Sequence, residues 1–187
     1  MINLEKKKSI NLTQAVPSLN NVRVGLSWDD VQINGKSPDC DASVFMLGEN
    51  GKVPNDKYFV FFNNLSSEDN SVIHNGDNRT GASVGDDETI DINLSQVSSL
   101  CVQMIVTITI HNIDEGFNFD ATINPSVRIY NSINNSIICQ YELSENFSGC
   151  DSLIIGRLYR NGSDWEFEAM GQAFSGGLEA TVDLYCK

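Results

Sequence analysis

"CVQMIVTITIHN", residues 101–112, decides how this chain folds. Val102, Met104, Val106, Ile108 and Ile110 occupy every second position. Successive side chains of an extended strand point to opposite faces, so this period of two puts five apolar side chains on one face. The same alternation recurs in "VRVGLSWD" (22–29), which places Val22, Val24, Leu26 and Trp28 together. "SVFML", "SVRIYN", "IICQYEL", "SLIIGRLYRN" and "DWEFEAMGQ" read as further strands, rich in β-branched and aromatic residues. "KYFVFFNN" (57–64) is too apolar for a solvated strand and reads as one covered on both faces. "NNSI", "NGSDW" and "ENGKVPND" supply turn chemistry between the runs, "NGSDW" as a hairpin. Helix signals are confined to one turn at "LSQV" (94–97) and a short terminal helix at "GLEATVDLYC" (177–186). Many short strands without long helices predict an all-β, two-sheet β-sandwich, with residues 1–187 as a single domain.

The 187 residues are 41% hydrophobic and 20% charged, and 25 acids against 12 bases give a net charge of −13. That balance argues against nucleic-acid binding, which needs a basic face, and favours cations as ligands. "MINLEKKKSINL" has positive charges but no apolar run after them, so no secretory signal is expected. No apolar segment is long enough to span a membrane. The five cysteines (40, 101, 139, 150 and 186) form no CxxC pair and are expected to be reduced and mostly buried.

Three segments concentrate oxygen ligands. The first holds Asp29 and Asp30, then Asp39 and Asp41 of "SPDCDAS". The second is Asn63 and Asn64 of "FFNNL". The third, "HNGDNRTGASVGDDETIDINL" (74–94), carries Asp77, Asn78, Asp86, Asp87 and Glu88. Adjacent carboxylates repel, and a solvated acidic surface is one reading of them. A cation cage is the other. Calcium takes six to eight oxygens from carboxylates, carbonyls and Asn side chains, which Asp/Asn-rich loops at one end of a sandwich provide. Glycines at 81 and 85 let the backbone turn its carbonyls inward. With only two histidines and no Cys–His cluster, a zinc site is not expected. The EF-hand spacing is absent. No GxxxxGK[ST], GxGxxG, HExxH or GxSxG motif occurs, so no enzymatic activity is expected. Asp91 keeps the period of its strand and reads as solvated; Arg79 reads as an ion-pair partner of nearby acids.

Taken in order, "GLSWD" (25–29), "DCDASVFML" (39–47), "FFNNL" (61–65), "HNGDNRTG" (74–81), "GDDETIDINL" (85–94), "VTITIHN" (106–112), "LYRNGSDWEF" (158–167) and "GQAFSGGL" (171–178) resemble the TerD-like tellurium-resistance and stress-response family. The resemblance spans nearly the whole chain. It implies a calcium-binding β-sandwich, cytoplasmic, linked to tellurite and stress resistance. Carried over, it implies a ligand set of Asp39, Asp41, Asn63, Asn64, Asp77, Asn78, Asp86, Asp87 and Glu88, with Asp29 as a looser candidate. On that reading Asp77→Ala and Asp86→Ala each abolish a calcium-induced rise in melting temperature. Cys40 stands where the family has Leu, and Ala82, Ser83 and Val84 stand where it often has acids. The lost charge leaves the stoichiometry at one calcium ion or two. Arg157 replaces the Glu of "GELYR", and Lys7–Lys8 replaces "KG".

The expected role is calcium-dependent contact with other proteins of a stress-response complex. A membrane association would be indirect, through a partner or calcium bridging, because anionic lipids repel an acidic protein. The alternatives are oxyanion or thiol-dependent detoxification, with Cys150 of "FSGCDS" the most exposed thiol, and a structural subunit with a fixed calcium ion.

Overall fold

The computed structural model describes residues 1–29, 32, 34–76, 85–111, 113–119, 123–143, 145 and 147–187, with backbone alone at 123 and 124. In chain order these form strands β1 (Ile2–Asn3) and β2 (Ser9–Asn11), helix α1 (Leu12–Ala15), and strands β3 (Asn21–Asp29), β4 (Cys40–Leu47), β5 (Phe59–Val60), β6 (Val72–His74), β7 (Glu88–Asn93) and β8 (Gln103–Ile110). Strands β9 (Ile123–Asn131), β10 (Ser136–Glu142), β11 (Ser152–Asn161) and β12 (Asp164–Phe174) and helix α2 (Gly177–Cys186) complete the chain.

The strands make two six-stranded sheets, so the expected two-sheet architecture is what the chain adopts. Sheet A has the order β1-β10-β9-β3-β7-β6, and sheet B the order β2-β12-β11-β8-β4-β5. The alternating positions meet between the sheets. Val22, Val24, Leu26, Ile90, Val127 and Ile129 come from sheet A and Val44, Met46, Met104, Val106 and Ile108 from sheet B, all fully buried. Val102 precedes its strand and is only half-buried.

β4 is buried at every position. Its even-numbered residues face the core. Its odd-numbered ones face the outer side of sheet B, where α2 packs against β8 and β11 and the Tyr185 ring meets Phe45 at 5.1 Å. The "DCDA" acids thus lie at and just before the start of this strand, with Asp41 in register with Thr109 of β8.

"KYFVFFNN" differs from the expected strand. It gives a single 3₁₀ turn at Asp56–Tyr58, two strand residues, and a tight turn in which Phe61 and Asn64 exchange backbone hydrogen bonds of 3.0 and 2.9 Å. The reason is ring packing. Phe59 stacks on Phe45 at 4.2 Å and Phe61 stacks on Phe59 at 4.3 Å, so the apolar run builds a column rather than a two-faced strand. "LSQV" is a turn and not a helix: Asn93 Oδ1 accepts from both the backbone and the hydroxyl of Ser95. "GLEATVDLYC" is α2, and "NGSDW" is the β11–β12 hairpin with Gly162 at φ +64. α1 was not signalled by periodicity; Asn11 caps it by accepting from the Gln14 N–H at 2.9 Å.

Candidate metal-binding site

β3 ends, β4 begins and β7 begins at the same end of the sandwich. Leu26 of β3 pairs with Glu88 of β7, and Cys40 of β4 pairs with Ile110 at the end of β8. Three carboxylates are buried there: Asp41 is 5% exposed, Asp87 9% and Glu88 2%. Asp39 is half-buried beside them, and its carbonyl accepts from the His111 N–H at 2.7 Å.

Asp87 and Glu88 are oriented by backbone N–H groups. Asp87 Oδ2 accepts from the Trp28 N–H at 2.9 Å, next to Asp29, which is exposed at the end of β3. Glu88 Oε2 accepts from the Ala42 N–H at 2.7 Å, reaching from sheet A to sheet B. Asp41 Oδ2 lies 3.7 Å from His111 Nδ1. Cys40, between Asp39 and Asp41 in sequence, is fully buried. Burial first, and then the charges of Asp41, Asp39, Glu88 and Asp87, push its thiol well above the usual range. The charges of these four acids reach the Cys40 thiol, which they and its burial favour in the neutral form.

Asp86 goes elsewhere, although it is adjacent to Asp87 in sequence. Its carboxylate lies over Gly25 on the outer face of sheet A, where a Cβ on Gly25 would come within 2.1 Å of Oδ2. Arg128 Nη1 binds Asp86 Oδ1 at 2.5 Å, and the Tyr130 hydroxyl donates to the same carboxylate. Its partners stand there by alternation in β9: Arg128 and Tyr130 are the outward residues, whereas Val127 and Ile129 face the core. Asp91 belongs to the same outer face and is engaged, not merely solvated, as Arg23 Nε and Nη2 grip it at 2.7 and 2.9 Å.

Asn63 is exposed at the tip of the Phe61–Asn64 turn. Asn64 Nδ2 donates to the Phe59 carbonyl at 2.6 Å, which leaves Oδ1 as its remaining side-chain acceptor. Asp30, Asp77, Asn78 and Arg79, with the stretch from Thr80 to Val84, lie outside the described residues.

The donor set fits a hard cation. The oxygens are carboxylates and amides, and Cys40 remains a neutral thiol. His74 offers no lone pair, because Nδ1 accepts from the Gly76 N–H at 3.2 Å and the ring proton therefore sits on Nε2. Nε2 faces Glu88 Oε2 across 3.3 Å, outside good hydrogen-bond geometry. Among the described residues, no three His, Cys, Asp or Glu side chains already surround a common point. The described acids are one wall of a cage and not a finished one. His111 was legible only as a strand-end histidine, and Arg128 and Tyr130 carried no sequence signal toward Asp86.

The TerD domain family matches residues 1–185. Tellurium resistance protein TerD of Serratia marcescens is 40% identical over 185 residues, covering 98% of this chain and 96% of that protein. General stress protein 16U of Bacillus subtilis (strain 168) is 40% identical over 186 residues, covering 98% and 96%. The crystal structure of a homologue of telluride resistance protein (TerD) from Streptomyces coelicolor A3(2) shares the fold, with a TM-score of 0.70 at 23% identity over 91% of this chain and 100% of that one. Sequence and fold together establish that the chain belongs to the TerD family of tellurium-resistance and stress-response proteins.

Proposed function

We propose that the chain is a calcium-binding module that serves stress resistance through calcium-dependent contact with partner proteins, not through catalysis. The observation that carries this reading is the burial of three carboxylates, Asp41, Asp87 and Glu88, where β4 and β7 begin. Like charges gathered in a desolvated site repel one another, and a divalent cation offsets that repulsion. Asp39, Asp41, Asp87 and Glu88 would hold the ion, with Asn63 and Asn64 close by on their turn. Calcium would supply charge neutralisation and a link between the two sheets. The unfolded chain has no cage, so binding stabilises the fold by mass action.

The thiol-dependent alternative has less support. Burial, with the Asp69 charge adding to it, pushes the Cys101 thiol to about 11, and burial pushes Cys139 to about 12. Among the described residues no helix is long and apolar enough to cross a membrane. Contact with a membrane surface would therefore run through a partner or through calcium bridging, from a cytoplasmic position.

Calorimetric titration with calcium, paired with thermal melts, tests the proposal. Binding heat and a raised Tm are expected, both lost in Asp87→Asn and Glu88→Gln. Absence of heat in the unaltered chain would sink it.

A further inference from the structure

Six rings form one unbroken line across the outer side of sheet B. Tyr185 of α2 meets Phe45 at 5.1 Å, Phe45 stacks on Phe59 at 4.2 Å and Phe59 on Phe61 at 4.3 Å. Phe61 meets Phe62 edge-on at 5.1 Å, and Phe62 meets His111 edge-on at 5.8 Å. The far end of the line touches the acid cluster twice, through the His111 N–H on the Asp39 carbonyl and through Nδ1 beside Asp41. Phe61 and Phe62 also share a four-residue turn with Asn63 and Asn64. The turn that carries the lower rings therefore also carries two of the candidate ligands.

The upper end of the line is α2, which hydrogen bonds to other parts of the chain hold at its start and at its end. α2 begins at Gly177, with Gly176 before it, at φ +61 and +117, and no side chain of its own caps it. Asp151 Oδ1 holds its start by accepting from both glycine N–H groups at 2.8 Å. Lys52 Nζ and the Val53 N–H hold its end through the carbonyls of Leu184 and Tyr185. The sheet face on which it sits includes Ser43 and Thr107, both fully buried, whose hydroxyls have no hydrogen-bond partner among the described residues. A helix docked on unsatisfied hydroxyls gains less than one docked on apolar side chains.

The geometry points to α2 as a hinged strap whose docking is coupled, through the ring line, to cation binding at the acid end of the sandwich. This rests on the calcium reading. Drawing Asn63, Asn64, Asp39 and Asp41 toward an ion would fix the turn and His111, and stacked rings pass that constraint to Tyr185. Coupling of this kind is reciprocal, so a docked α2 also favours the ion.

Hydrogen exchange of the full chain with and without calcium, run beside calorimetry, tests it. Calcium is expected to slow exchange of the α2 amides by roughly tenfold. In Phe61→Leu or Phe62→Leu, each checked for folding by its melt, calcium heat persists while the change at α2 falls below roughly twofold. Calcium heat without any change at α2, or an undiminished change in both variants, overturns the coupling and leaves the calcium reading standing. Absence of heat in the unaltered chain removes both.

Discussion

Glu88 of β7 accepts the Ala42 N–H of β4 at 2.7 Å, so a single carboxylate joins sheet A to sheet B. Both groups are buried. Glu88→Ala, measured in chelator, should cost about 1–3 kcal/mol, because the Ala42 N–H is left without an acceptor. Glu88→Gln should cost less, since its amide oxygen still accepts. Urea unfolding of the two variants checks the order; equal losses would remove the hydrogen bond as the cause.

Asp86 and Gly25 should behave as a pair. A Cβ at position 25 meets the Asp86 carboxylate at 2.1 Å. Gly25→Ala should destabilise by about 1–3 kcal/mol through overpacking. The same change made in an Asp86→Ala background should cost markedly less, with a coupling of about 0.5–3 kcal/mol in a double-mutant cycle. Asp86→Ala alone should retain the calcium-induced rise in Tm that Asp87→Asn loses.

Asp69 sets part of the acid limit of stability. Burial raises its carboxyl, but hydrogen bonds from the hydroxyls of Ser67 and Ser71 and the N–H groups of Ser98 and Ser71 outweigh this and hold it below 3.8. The unfolded chain keeps the ordinary value. Asp69 thus contributes stability above about pH 4 that is lost as pH falls through the lower, folded value. The stability gap between the native chain and Asp69→Asn should be constant near neutrality and close below pH 4. Denaturant unfolding across that range measures it.

Arg160 ties the 97–101 turn to the sheet. Its Nη2 and Nε donate to the carbonyls of Val97 and Cys101 at 2.9 and 3.3 Å, while its guanidinium lies 4.5 Å from the Trp165 ring. Lysine cannot span both acceptors and stack, so Arg160→Lys should lose about 1–2 kcal/mol and shift Trp165 emission.

Thiol labelling of the native chain near pH 8 should reach Cys150 and Cys186 first, both half-exposed. Cys40, Cys101 and Cys139 should react only on unfolding, since each is fully buried and each thiol is pushed up, mainly by burial. Early reaction at Cys40 would contradict its place in the core.

The alternation of Val22 to Trp28 and of Met104 to Ile110 was enough to read the strands, their inward faces and hence the sandwich, because burial on one face imposes a period of two. The terminal helix was legible too: "GLEATVDLYC" opens on the second of a glycine pair, Gly176 and Gly177, just past the end of the last strand. "KYFVFFNN" misled because composition reports that a run is buried and not what it packs against. Its rings found Phe45 and each other, contacts that depend on β4 being brought alongside.

The site divides along the same line. The sequence by itself determined that acids and amides collect in segments beside apolar strands. Only the tertiary structure decided which acids meet. Asp86 and Asp87 are neighbours of identical chemistry, yet one carboxylate answers Arg128 on an outer face and the other the Trp28 N–H beside the buried group around Cys40. The partner waiting on each side is set by sheet register across dozens of residues, which no local stretch of sequence contains.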